Sequence, residues 1–214
     1  MRIMIATRNP AKSREFREML ASDQLLWTDL SEFAGVREVE ETGRTFRANA
    51  CLKASDYARQ TQMWALADDS GLVIDALAGR PGVASARWAM LQGTGRGDAD
   101  NNATVLRQME NVAEDRRTAR FVCVLALADP DGRIILTAQD AMEGRILRIP
   151  RGSNGFGYDP LFEIESLGRT SAELSPQEKH RISHRGKALR RLRQLIADAL
   201  LATPLCEPQP QKVQ

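Results

Sequence analysis

The sequence predicts an α/β fold built on a mixed β-sheet. Two observations lead there: strand-length apolar runs are interspersed with amphipathic helical segments, and one strong β-hairpin signal lies in the second half of the chain.

Residues 2–6 (RIMIA) read as a buried strand, which Thr7-Arg8-Asn9-Pro10 stops. Asn9 is a good N-cap and Pro10 suits the first helical turn, so a helix follows, with Phe16, Met19 and Leu20 on its apolar face. Leu25-Leu26-Trp27 has the composition of a second strand, and Glu40-Glu41-Thr42-Gly43 that of a polar turn. Segment 45–60 spaces Phe46, Ala50, Ala54 and Tyr57 as a helix does. Trp64–Ala67 reads as a short buried strand that ends at Asp68. Residues 71–97 carry Gly79, Pro81 and Gly82 as breakers and read as irregular; 99–110 reads as helix. Segments 119–128 and 132–141 flank Asp129-Pro130-Asp131-Gly132, a hairpin turn. After a glycine-rich loop at 152–160, Ser175-Pro176-Gln177-Glu178 forms a capping-box pattern. Ala188, Leu189, Leu192, Leu195, Ile196 and Ala199 mark a last amphipathic helix, which His184 and Arg185 just precede. Residues 1–202 are expected to form one domain, and the proline-rich tail 203–214 to be disordered.

Composition narrows the function. Thirty Lys+Arg against 28 Asp+Glu leave a net charge of +2, too balanced for a general polyanion binder, so no nucleic-acid partner is expected. Cys51, Cys123 and Cys206 match no metal or redox spacing and read as reduced thiols of a cytoplasmic protein. The strand-like start Met1-Arg-Ile-Met-Ile leads to the expectation of no signal peptide, and no apolar run of about 20 residues is present to span a bilayer.

Five clusters carry residues suited to chemistry. The turn Thr7–Lys12 places backbone N–H groups and an ammonium at a helix start, where phosphates bind, although the spacing is not that of a P-loop. Glu40, Glu41, Asp68 and Asp69 supply oxygen ligands of the kind Mg²⁺ shares with substrate phosphates; solvated glutamates are the plain alternative for the first pair. Asn49 and Lys53, four apart, share a helix face. In Gly152–Pro160, three glycines surround Phe156, which can stack on a planar base, and Asp159, which can accept hydrogen bonds from base or ribose. Lys179, His184 and Arg185 are rich in donors that suit a purine carrying a carbonyl at C6. Rival uses are a nucleic-acid binder built on 181–193 and a haloacid-dehalogenase-type phosphatase built on Asp68-Asp69. The acidic clusters oppose the first, and the adjacency of Asp68 and Asp69, where that chemistry needs Asp-x-Asp, opposes the second.

Several of these blocks, in fixed order, resemble the inosine triphosphate pyrophosphatase family in its bacterial dITP/XTP branch. The matching residues are Thr7-x-Asn9-x-x-Lys12, Glu40-Glu-Thr-Gly43, Thr45-Phe46, Asn49-Ala50, Lys53-Ala54 and Ala67-Asp-Asp-Ser-Gly-Leu72. They continue with Asp75-Ala-Leu77, Gly79-x-Pro-Gly-Val83, Ser85-Ala-Arg87, Gly155-Phe-Gly-Tyr-Asp-Pro160, Ala172-Glu-Leu174, Lys179 and Ile182-Ser-His-Arg-Gly186. The resemblance implies an elongated mixed sheet with two lobes around a central cleft. It also implies a Mg²⁺-dependent homodimer that splits ITP, dITP and XTP into monophosphate and pyrophosphate by attack of metal-activated water. Under it, Thr7, Arg8, Asn9, Pro10, Ala11, Lys12 and Lys53 hold the triphosphate, with Ser70 beside them. Glu40 and Asp69 hold metal, Asp69 is the general base, and Phe156, Gly157, Tyr158, Asp159, Lys179, His184 and Arg185 form the nucleoside pocket. Spacing alone does not decide between Glu40 and Glu41. Ala48, where the family usually has Glu, Trp88, where it has Tyr, and the glycine-rich 93–97 depart from the pattern without touching these positions.

Overall fold

The computed structural model describes residues 2–20 and 26–202. In chain order the elements are β1 (Arg2–Ile5), α1 (Pro10–Leu20), β2 (Leu26–Asp29), α2 (Phe46–Thr61), β3 (Trp64–Ile74), α3 (Trp88–Leu91) and α4 (Asp98–Gln108). They continue with β4 (Thr118–Ala128), β5 (Ile134–Ile146), β6 (Phe162–Ile164), β7 (Arg169–Thr170), α5 (Pro176–Ile182) and α6 (His184–Ala202). The seven strands of the described residues form one sheet in the order β2-β1-β3-β4-β5-β6-β7. β1 pairs in parallel with β2 and β3, and every other pairing is antiparallel, so the sheet is mixed as predicted.

The two faces are covered by different helices. Phe16 and Leu20 of α1 and Ala188, Leu189 and Leu192 of α6 pack with Ile3, Ile5, Leu66 and Leu125 on one face. On the other, Ala50, Ala54 and Ala58 of α2 meet Met4, Ala65, Ala67 and Ala126, where small side chains bring helix and sheet close. A third cluster, around Leu72, Ile74, Phe121, Met142 and Phe162, is closed by Val105 and Met109 at the end of α4.

Local chemistry sets the element ends. Asn9 Oδ1 accepts from the N–H groups of Ala11 (2.9 Å) and Lys12 (3.2 Å), capping α1. Thr45 caps α2 through the Ala48 N–H. Ser175 and Glu178 complete the capping box of α5, with Pro176 at its start. The β4–β5 hairpin turns at 129–132, where the Gly132 N–H donates to the Asp129 carbonyl and Gly132 adopts φ +79°.

Three expectations need correction. β3 does not end at Asp68: it runs on to Ile74, and each residue from Ala65 to Ile74 is paired with β4. Acidic residues and glycine are poor strand formers, but a partner strand and buried cations override that preference. Gly71–Ile74 therefore belong to the sheet, and the rest of 71–97 contains two short 3₁₀ turns (Asp75–Leu77 and Gly82–Arg87) and α3. His184 and Arg185 do not precede the last helix but are its first two residues. Leu25 and the tail 203–214 lie outside the described residues.

Candidate active site

Adjacent residues of a strand point to opposite faces, so Asp68 and Asp69 do not confront each other. Asp68 faces α1 and α6, where its Oδ2 lies 2.9 Å from Lys12 Nζ and accepts from Arg185 Nη2 at 3.2 Å. Asp69 faces α2, where Lys53 Nζ lies 3.3 Å from Oδ1 and Asn49 Nδ2 donates to Oδ2 at 3.2 Å. The Asn49 side-chain oxygen accepts from the Gly43 N–H (2.7 Å), which turns its amide NH₂ toward Asp69.

The two acids titrate in opposite directions. Burial would raise Asp68, but the charges of Lys12 and Arg185 override it and hold the carboxyl well below the usual carboxylate range. For Asp69 burial wins: Lys53 and Lys12 offset only part of it, Glu41 and Asp68 add to it, and the pKa rises. A carboxylate poised upward beside a cleft is the profile of a general base.

A buried ionic chain runs from Asp68 toward the loop at 152–160. Arg185, 1% exposed, is paired with both Asp68 and Glu15. Glu15 Oε1 accepts from Lys179 Nζ at 2.8 Å, and Lys179 Nζ donates onward to Asp159 Oδ2 at 2.6 Å. Asp159 Oδ2 also accepts from the Phe156 N–H at 2.9 Å, folding the loop back on itself. Gly155, at φ +77°, has no room for a side chain: a Cβ there would fall 2.0 Å from Asp159 Oδ2. Burial would raise Glu15, but the positive charges of Arg185 and Lys179 hold it at about 2. Burial pulls Lys179 down, yet Asp159 and Glu15 outweigh it and its pKa rises. His184 is pushed well below its usual range, by burial first and by Arg185 second, so it is a neutral ring stacked on Phe121.

These elements enclose a cleft of about 740 Å³. Its walls include Thr7, Arg8, Asn9 and Lys12 from around the start of α1, Glu40, Lys53, Asp69 and Ser70, and Phe156, Gly157, Tyr158, Asp159, His184 and Arg185. Pro10, Ala11 and Lys179 do not line it. Pro10 and Ala11 serve as the start of α1, and Lys179 lies behind Asp159, with its ammonium 5.0 Å from the Phe156 ring centroid. The Ala11 and Lys12 N–H groups are satisfied by Asn9, so the anion-binding capacity of this turn resides chiefly in Lys12. Tyr158 commits its hydroxyl to the Ser85 carbonyl (2.8 Å) and acts as a strut of the wall. Ser70 Oγ donates to Asp68 Oδ2 and accepts from Arg185.

Sequence reading missed Glu15, the acid between the two buried cations. A signal existed: it stands three residues after Lys12 and so shares a helix face with it.

Among the described residues no group of three or more His, Cys, Asp or Glu side chains is arranged to hold a metal ion. The acids lining the cleft include Glu38, Glu40, Glu41 and Asp69, which offer oxygen donors only. That set fits a hard cation that takes one or two carboxylates and completes its shell with phosphate oxygens and water. Glu41 is held by Lys53 Nζ at 2.5 Å, whereas Lys53 does not pair with Glu40, which is exposed. Among the described residues no helix is long and apolar enough to cross a membrane.

Residues 3–195 match the model of the Ham1 family. A protein of Desulforamulus reducens described as a dITP/XTP pyrophosphatase is 48% identical over 196 residues, covering 92% of this chain and 96% of that one. A second of the same description, from Nitratidesulfovibrio vulgaris, is 51% identical over 197 residues, covering 90% and 94%. The structure of a HAM1 protein from Coxiella burnetii superposes with a TM-score of 0.82 at 44% identity, over 92% of this chain and 99% of that one. A nucleoside-triphosphatase and dITP/XTP pyrophosphatase from Mycobacterium abscessus does so with a TM-score of 0.71 at 41% identity, over 92% of this chain and the whole of that one.

Proposed function

Since the chain belongs to the Ham1 family, we propose that it hydrolyses the deaminated purine nucleoside triphosphates ITP, dITP and XTP to monophosphate and pyrophosphate. The observation that carries this reading is one cleft that holds the Asp69 carboxylate against Lys53 and, in the same cavity, the Phe156 ring with His184 and Arg185.

Lys12 and Lys53 bind phosphate oxygens, exchanging part of their contact with Asp68 and Asp69. Asp69, oriented by Asn49, accepts the proton of the attacking water at a carboxylate oxygen. The water oxygen bonds to the α-phosphorus, and the bond to the bridging oxygen breaks with its electron pair leaving on pyrophosphate. Phe156 stacks on the base. The donors of His184 and Arg185 meet a carbonyl at C6, and adenine, with an amino group there, leaves them unpaired. Asp69 with Glu40 or Glu41 would hold Mg²⁺, which supplies charge neutralisation of the phosphate oxygens when bound. A homodimer and a cytoplasmic location belong to the same reading and rest on the family.

The Asp69→Asn variant tests the base. It should retain the wild-type fold and lose at least a hundredfold in kcat for ITP, within the range of positioned acid–base catalysis. Turnover equal to wild type would remove Asp69 from that role.

A further inference from the structure

The cations of the cleft wall and of the ionic chain behind it are largely spent on neighbouring acids. Lys12, Lys53, Lys179 and Arg185 face Asp68, Asp69, Glu41, Glu15 and Asp159, four positive charges against five negative ones. A polyphosphate entering this site needs positive charge beyond theirs, part of which a bound Mg²⁺ would supply. Two more cations line the cleft, Arg8 and Arg87. The Arg8 guanidinium is committed to the Val36 carbonyl. Arg87 is not so held: its nearest acid is Glu41, at 3.7 Å, beyond hydrogen-bonding distance, and its side chain is 40% exposed.

The backbone that carries Arg87 is fixed while its side chain is loosely engaged. Ser85 Oγ accepts from the Leu72 N–H (2.9 Å) and donates to the Gly82 carbonyl (2.6 Å). The Ser85 carbonyl is held by Tyr158, and the buried Asn101 takes the Ala86 carbonyl and the Ala89 N–H, on either side of Arg87. Gly71 admits this segment to the sheet, since a Cβ there would lie 2.4 Å from Ser85 Oγ. The guanidinium therefore projects from an anchored wall toward Glu41, which also pairs with Lys53.

We propose that Arg87 is a substrate-binding residue for the polyphosphate, leaving Glu41 to take the oxygens of the departing pyrophosphate. The planar fork of arginine matches phosphate oxygens two at a time, and its charge stabilises the electron pair released when the bond to the α-phosphorus breaks. This rests on the hydrolytic reading above and adds a phosphate ligand to it.

The test is calorimetric binding of inosine α,β-imidotriphosphate and of IMP to wild type, Arg87→Ala and Arg87→Lys, with kcat and KM for ITP measured alongside. Arg87→Ala should weaken the triphosphate analogue about 10–100-fold, the worth of a charge-assisted contact, and leave IMP within about twofold. Arg87→Lys should fall between, because it keeps the charge and loses the fork. An unchanged affinity for the analogue, or equal weakening of analogue and IMP, would overturn the assignment. Failure of the wild type to bind either ligand would instead remove the reading on which it rests.

Discussion

Arg185 and Glu15, 170 positions apart in the chain, form an ion pair in the interior, and each also serves the other side of the cleft. Arg185 continues to Asp68 on the central strand, and Glu15 continues to Lys179 behind the nucleoside loop. The central strand and the loop at 152–160 thus share one electrostatic unit, in which no member can be removed without exposing another's charge to a low-dielectric surrounding.

Replacing Glu15 with Gln should destabilise the fold by about 3 kcal/mol, the lower end for breaking a buried pair, because Asp68 and Asp159 still face the two cations. Denaturant unfolding of both proteins measures this. A change within about 0.5 kcal/mol would show that the pair contributes little.

The His184 ring gives stability a defined pH dependence. Its folded pKa is depressed well below 6.5, so below that pH the unfolded chain binds a proton that the folded chain refuses. Stability should fall as pH drops from 6.5 to 5, with a contribution approaching about 1.4 kcal/mol per pH unit. The raised carboxyls of Asp69 and Asp159 act in the opposite sense and offset part of it. Comparison with His184→Gln isolates the histidine, and that variant should lose this component. Parallel pH profiles for the two proteins would contradict it.

Phe156→Ala should weaken binding of ITP and XTP alike by about 1–3 kcal/mol, the worth of stacking one base on an aromatic ring, or roughly 5- to 150-fold. The same residue packs near the Lys179 ammonium, so melting temperature should be followed with affinity. Unchanged affinity would place the base elsewhere.

Much of this architecture was legible in the sequence because its signals are local. The Asn9 cap, the Asp129–Gly132 turn and the Ser175–Glu178 box each act over three or four residues, and the structure forms all three. The course of β3 was not legible. Asp68, Asp69 and Gly71 argue against a strand by local preference, and what overrides them comes from afar: Lys12, Lys53, Arg185 and the whole length of β4. Glu15 was hidden for the same reason. In a charged helical stretch it reads as a surface residue, and only the return of the chain at 179 and 185 buries it. Arg87 stands out in sequence only as part of the Ser85-Ala-Arg87 block, with no role attached, and its orientation into the cleft follows from Ser85, Asn101 and Tyr158.

The most direct measurement is pyrophosphate release from ITP, XTP, ATP and GTP by the purified protein, with and without Mg²⁺. The account predicts turnover of ITP and XTP that requires Mg²⁺, at least a hundredfold faster than that of ATP, the discrimination expected when buried donors are left unpaired. Release of orthophosphate in place of pyrophosphate, or equal turnover of ATP, would contradict it.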